Sequence, residues 1–410
     1  MELKEICMPT RHRPIARTGL IALSLLVLGG CATHGVSQTD LDAAWSGVAL
    51  PGTHAEGKGA GSGDVVTPVG VIPAQQIRST HALLPEGVKD PEGWSKDIMT
   101  TFQALKITPT RENLCAAIAV IAQESSFQAE PVVAGLPRIV QSELEKRRDQ
   151  YHIPNAVLEG ALAIKSPNGK TYRERIRALR TENDLNRLYD DMISELPLGK
   201  TLLGNRNPVK TGGPMQVSLV YAGQKIKTSP YPYPDAGPLR TEVFSRRGGL
   251  YFGIGYLLDY PAPYEQMLYR FADYNAGHFA SRNAGLQKTI AALTDQSLSM
   301  DGDLLRYEGE RPSSTPSETL NAVLSIKDLI GVNEDTVRED LSREKTPDLE
   351  QTMTWKGIRD LAKLRGKPLP KAQLPEIRLI SPKITSGLTT GGFARKVDAR
   401  YGQCLGRSGN

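Results

Sequence analysis

Cysteine is scarce in this sequence, with four among 410 residues. That excludes a disulfide-framed scaffold, which needs a dense cysteine pattern. Aromatic residues are few, at 6%. Neither charge sign dominates, because 50 basic against 45 acidic residues leave only +5. So even a balance gives no electrostatic footprint for nucleic acid, and no nucleic-acid partner is expected. The motifs H-E-x-x-H, C-x-x-C, G-x-S-x-G and the Walker loop are all missing. The six histidines (12, 34, 54, 81, 152 and 278) are scattered without metal-ligand spacing. No metal, no cofactor and no histidine-based nucleophile are therefore expected. What is present is 39% hydrophobic and 23% charged residues, enough for a globular core. With 39 Gly and 28 Pro, the chain also has material for long loops or a tether.

The N-terminus reads as an address. Arg11, Arg13 and Arg17 form a basic region before the nine-residue run Leu20–Leu28. A membrane-spanning helix needs about 20 apolar residues, so this run is a signal-peptide core instead. The following Leu28-Gly29-Gly30-Cys31 resembles a bacterial lipobox. That resemblance implies removal of residues 1–30 and lipidation of Cys31. With Ala32 next, it further implies an outer-membrane lipoprotein facing the periplasm. An ordinary signal peptide beside a chance cysteine is the plainer alternative. Covalent acyl chains anchor at about 0.8 kcal/mol per buried CH2, so several hold firmly. Met8 offers a second possible start. Cys7 falls in the signal, leaving Cys115 and Cys404. An oxidising periplasm permits a bond between them; two buried thiols are the equal alternative.

Residues 31–80, with Ala32–Ile77 as their main part, are rich in Gly, Ser and polar residues and read as a flexible tether. A mainly α fold is expected beyond it. Residues 81–310 are assigned to one helical domain and 311–410 to a C-terminal extension packing on it. Helices are expected at Trp94–Leu105 and from Thr108-Pro109, with Thr108 as cap and Leu114, Ile118, Ile121 and Ala122 facing inward. Further helices are expected within Tyr172–Ile193 and at Glu242–Leu258, Ala262–Tyr274 and Ala280–Leu293. Gly277 is the stop after the third of these. No strand pattern is apparent.

Glu124 closes an apolar helix in the run Ile121-Ala122-Gln123-Glu124-Ser125-Ser126-Phe127. Burial disfavours the anion, so a carboxyl there can keep its proton and pass it to a leaving oxygen. Taken alone, a solvent-exposed glutamate explains it better. Two further segments change the balance: Gly213-Pro214-Met215-Gln216-Val217 and Asp273-Tyr274-Asn275-Ala276-Gly277. Together, and in this order, the three resemble the catalytic motifs of lytic transglycosylases with the goose-lysozyme-like fold. Gly248–Asp259 also resembles the family helix between the second and third motifs.

The resemblance implies a lysozyme-like domain acting on peptidoglycan glycan strands. Glu124 would protonate the glycosidic oxygen between N-acetylmuramic acid and N-acetylglucosamine, then act as base to give a 1,6-anhydro product. Ser125, Met215, Gln216, Tyr274 and Asn275 would bind substrate around it. Plainer roles remain: Met215 as core and Asn275 as a helix-end cap. Two departures stand out. Glu124 and Gln216 lie 92 positions apart, so about 135–207 reads as a helical insertion. Asp273 replaces a small family residue. It is expected as a surface acid, or else as a base for water in a lysozyme-type hydrolase. A non-catalytic peptidoglycan-binding envelope lipoprotein is the third reading. Without residues 1–30 the charge is about +3, a weak fit to an anionic wall polymer.

Overall fold

The computed structural model describes residues 70–407, apart from 151, 153, 167, 196–206, 208, 309–310 and 380–387. The signal segment, Cys31 and most of the expected tether lie outside the described residues. The described chain is mainly α, with two short hairpins.

The first helix, α1 (Ala74–His81), overlaps the stretch assigned to the tether. That assignment is corrected at its C-terminal end, because Thr80, Leu83 and Leu84 are buried against the domain. Helix α2 (Pro91–Ala104) starts at Asp90, whose side chain accepts from the Gly93 N–H at 3.1 Å. Pro91 occupies the first helical position, where its missing N–H costs nothing. Helix α3 (Arg111–Glu124) is capped by Thr110, not Thr108; Thr110 Oγ1 accepts from the Asn113 N–H at 3.2 Å. Eight consecutive residues, Leu114–Ile121, are buried, so α3 is sheathed on all sides rather than on one face.

Helices α4 (Leu136–Gln150), α5 (Asn155–Ala163), α6 (Tyr172–Arg177) and α7 (Glu182–Glu195) follow. They gather around a cluster of their own that includes Leu136, Leu158, Tyr172 and Leu188 and reaches Phe244. The charged stretch from Tyr172 is two helices, α6 and α7. Thr171 and Glu174 cap α6 reciprocally. The hairpin β1 (Thr211–Gly212) and β2 (Val217–Ser218) then pairs Thr211 with Ser218 and Gly212 with Val217. Two-residue strands are too short to show an alternating pattern, so the sequence offers no sign of them.

The main core is completed by α8 (Leu219–Thr228), α9 (Leu239–Phe244), α10 (Arg246–Leu258) and α11 (Met267–Ala276). The single helix expected over Glu242–Leu258 breaks at Ser245, which is extended and accepts from the Gly248 N–H at 3.0 Å. The helix expected from Ala262 begins only at Met267, after Pro261 and Pro263, and stops at Gly277 (φ 111°) as anticipated.

Beyond α11 the chain divides differently from the expected boundary at 311. Helix α12 (Ala280–Thr294) enters a second core from Leu286 onward. That core continues past the hairpin β3 (Tyr307–Glu308) and β4 (Arg311–Pro312) through α13 (Glu318–Ser325), α14 (Glu334–Leu341) and α15 (Met353–Leu364). The last helix, α16 (Thr390–Leu405), returns to the main core, where Phe393, Ala394, Val397 and Cys404 are buried. Cys404 is disulfide-bonded to Cys115 of α3.

The second core buries one carboxyl, Glu344, beneath the backbone N–H groups of Leu304 and Leu305. Burial pushes this carboxyl up to about 7 from an ordinary 4.5. The folded protein then holds the proton to higher pH than the unfolded chain does. The stability this group contributes is full below about pH 4.5 and is lost as pH rises towards 7. Glu344→Gln should therefore be more favourable at pH 8 than at pH 4, by about 2–3 kcal/mol. Urea unfolding of both proteins across that range measures it, and parallel pH profiles would count against a buried ionising group.

Candidate active site

The end of α3 is abrupt. Ser125 N–H and Oγ both donate to the Ile121 carbonyl, each at 3.0 Å. Ser126 (φ 50°) and Phe127 (φ 60°) then adopt left-handed backbone in succession. Each costs a non-glycine residue about 1–2 kcal/mol. Burial of the Phe127 ring, edge-on to Trp94 at 5.2 Å, offsets this. The result is a helix that terminates at Glu124, leaving the carboxylate half-buried at its tip. Ser125 itself is buried, and its hydroxyl turns back to the helix rather than outward as the resemblance implied.

The second segment is the turn between β1 and β2. Gly213 has φ 74°, and a Cβ there would lie 2.2 Å from the Val243 carbonyl oxygen, so only glycine fits. Gln216 is also left-handed (φ 52°), with its N–H donating to the Gly213 carbonyl at 3.1 Å. Its side-chain amide is spent on the same carbonyl, at 3.3 Å. Met215 is fully buried, seated where Gly253 of α10 has no side chain.

Helix α11 supplies the third segment. The Tyr274 hydroxyl donates to the Met215 carbonyl at 2.6 Å, so the second and third segments touch directly. Burial, and then the negative charge of Glu124, push the Tyr274 phenol well above its ordinary range. Glu124 is thus an electrostatic neighbour of Tyr274. Three segments distant in sequence converge on Glu124, Met215 and Tyr274. Asn275 faces another way, accepting from Thr390 Oγ1 at 2.8 Å.

Asp273 corrects the sequence reading. It is fully buried, not a surface acid. It accepts from Tyr260 OH (3.0 Å) and from the N–H groups of Phe279 (2.9 Å) and Ser281 (2.7 Å). Burial pushes its carboxyl up to about 7 against those donors. Its work is to pin the corner between α11 and α12, where Gly277 and Phe279 (φ 67°) reverse the chain. A carboxyl so enclosed does not face water.

Sequence reasoning missed the aromatic support. His278 stacks between Tyr256 (4.2 Å) and Tyr260 (4.0 Å), and Tyr256 meets Tyr274 edge-on at 5.4 Å. Burial pushes His278 down to about 4, so its ring is neutral at physiological pH. The neutral ring donates from Nε2 to the Tyr256 carbonyl at 2.7 Å, since a carbonyl can only accept. A lone histidine carries no local signal for such a stack. Among the described residues, no group of three or more His, Cys, Asp or Glu side chains is placed to hold a metal ion.

These features define a mainly helical protein in which the half-buried Glu124 is an electrostatic neighbour of Tyr274, itself hydrogen-bonded to a strained hairpin turn. The chain belongs to the family described as protein of unknown function (DUF1615), which matches residues 87–407. It is 46% identical over 323 residues to the uncharacterized protein YaiW of Escherichia coli (strain K12), covering 78% of this chain and 87% of that relative. No solved structure matches it.

Proposed function

We propose that this protein is a membrane-anchored lytic transglycosylase, with Glu124 as its general acid and base. The observation that carries the reading is the convergence of Glu124, Met215 and Tyr274 from three separate segments. Left-handed backbone at Ser126, Phe127 and Gln216 adds to it, because strain of this kind collects at functional sites. Glu124 gives its proton to the glycosidic oxygen as the bond from C1 of N-acetylmuramic acid breaks. The substrate's 2-acetamido carbonyl supports C1 meanwhile. The Glu124 carboxylate then takes the proton of the muramoyl 6-hydroxyl, whose oxygen bonds to C1. No water is consumed and Glu124 is regenerated. The scheme needs one carboxylate, unlike the paired arrangement of most glycosidases. The enclosure of Asp273 favours it over the lysozyme-type hydrolase.

Peptidoglycan glycan strands are the proposed substrate, and lipidated Cys31 the proposed attachment to the outer membrane. The Cys115–Cys404 bond suits the oxidising periplasm. Among the described residues, no helix is long and apolar enough to cross a membrane, so attachment would fall to the lipid. Digesting sacculi with residues 32–410 and analysing the muropeptides by mass spectrometry tests the reading. Products ending in 1,6-anhydro sugars are expected. Reducing ends would make it a hydrolase, and binding without products a non-catalytic wall-binding protein.

A further inference from the structure

Helix α16 begins 115 positions after Asn275, outside all three motifs, yet it packs against both helices that carry the site, α3 and α11. Its contacts fall beside the two candidate catalytic positions. At its start, the fully buried Thr390 donates to Asn275, the neighbour of Tyr274. Further along, Arg400 Nε donates to Gln123 Oε1 at 3.1 Å, and Gln123 precedes Glu124. The next residue of α16, Tyr401, meets Phe271 of α11 at 5.7 Å. Both ends of the helix are fastened. The backbone N–H of Thr390 donates to the Ile377 carbonyl at 2.9 Å. Cys404 is bonded to Cys115, and Arg111 Nη2 donates to the Leu405 carbonyl at 3.0 Å.

A strut held this way sets the separation of α3 and α11, and with it that of Glu124 from Tyr274. We propose that α16 is the positioning element of the site, with Thr390 a positioning residue acting through Asn275 and Arg400 acting through Gln123. A hydroxyl buried in the main core needs an acceptor, and the Asn275 amide oxygen supplies it. That pairing fixes the last turn of α11, where Tyr274 reaches for the Met215 carbonyl.

The inference rests on the Glu124–Tyr274 reading of the site, but its test does not require activity. Hydrogen exchange by mass spectrometry on the full-length protein in detergent reads peptides spanning 121–128, 213–217 and 272–278. Thr390→Val keeps the shape and removes the donor. It should raise exchange about tenfold in 121–128 and 272–278, while Thr390→Ser restores the wild-type rates. Asn275→Ala removes the acceptor instead and should reproduce the pattern if Thr390→Val folds poorly. Gln403→Ala, on the exposed side of α16, should leave all three peptides unchanged. On sacculi, Thr390→Val should lower turnover about tenfold with wall binding unaltered. Unchanged exchange at 121–128 in both Thr390→Val and Asn275→Ala would overturn the positioning role. A wild-type protein that releases nothing from sacculi would sink the transglycosylase reading while leaving the exchange result standing.

Discussion

Glu124→Gln should reduce the release of 1,6-anhydro muropeptides by roughly 10²–10⁴-fold, the usual contribution of a positioned general acid and base. The glutamine amide is nearly isosteric but neither donates an acidic proton nor takes one back. Both half-reactions pass through this one carboxyl, so no second group is expected to replace it. Glu124 ends α3 beyond the buried stretch Leu114–Ile121, so the fold should survive the change with its melting temperature within a few degrees. Equal muropeptide yields from the variant and the parent would remove Glu124 from the chemistry. The carboxyl weighed as an alternative, Asp273, should behave oppositely. Asp273→Asn places an amide nitrogen against donors that need an oxygen, so it should cost stability before it costs turnover.

Removal of the Cys115–Cys404 bond should have the largest effect on stability. The bond closes a loop of 289 positions, and such closure restricts the unfolded chain, contributing about 2–5 kcal/mol. For a protein of this size that corresponds to a melting temperature lower by roughly 5–15 °C in the Cys115→Ser/Cys404→Ser double variant. Both sulfurs are fully buried in the main core, so dithiothreitol should act slowly on the native protein and quickly once it is unfolded. Turnover should fall with stability, since the same bond holds α16 against the helix that ends in Glu124. Two thiols titrating in denatured, unreduced residues 32–410 would show that the bond does not form.

Part of this was legible in the sequence. Leu114, Ile118, Ile121 and Ala122 mark α3 by their spacing, and Gly277 marks the end of α11. The family resemblance of the three short motifs implied Tyr274 near Glu124, and the charge of Glu124 acts on the Tyr274 phenol. Boundaries were less legible. Pro261 and Pro263 delay the start of α11, while Ser245 breaks what hydrophobic spacing alone reads as one helix. Asp273 looked like a surface acid because one position beyond a motif says nothing about burial. Ser125 looked like a substrate contact because a helix-end hydroxyl can turn outward as well as back to Ile121.

The sequence by itself determined the mainly helical fold, the buried positions that mark α3 and the stop of α11 at Gly277. Those are local properties, written in contacts between residues three and four apart and in the backbone preference of Gly. Only the tertiary structure decided that α16 returns to the main core, that Thr390 meets Asn275, that His278 is held between two tyrosines, and that Asp273 is enclosed. Each of these is set by packing between elements, some brought together from more than a hundred positions apart. Packing of that kind leaves no periodic trace in the chain that produces it.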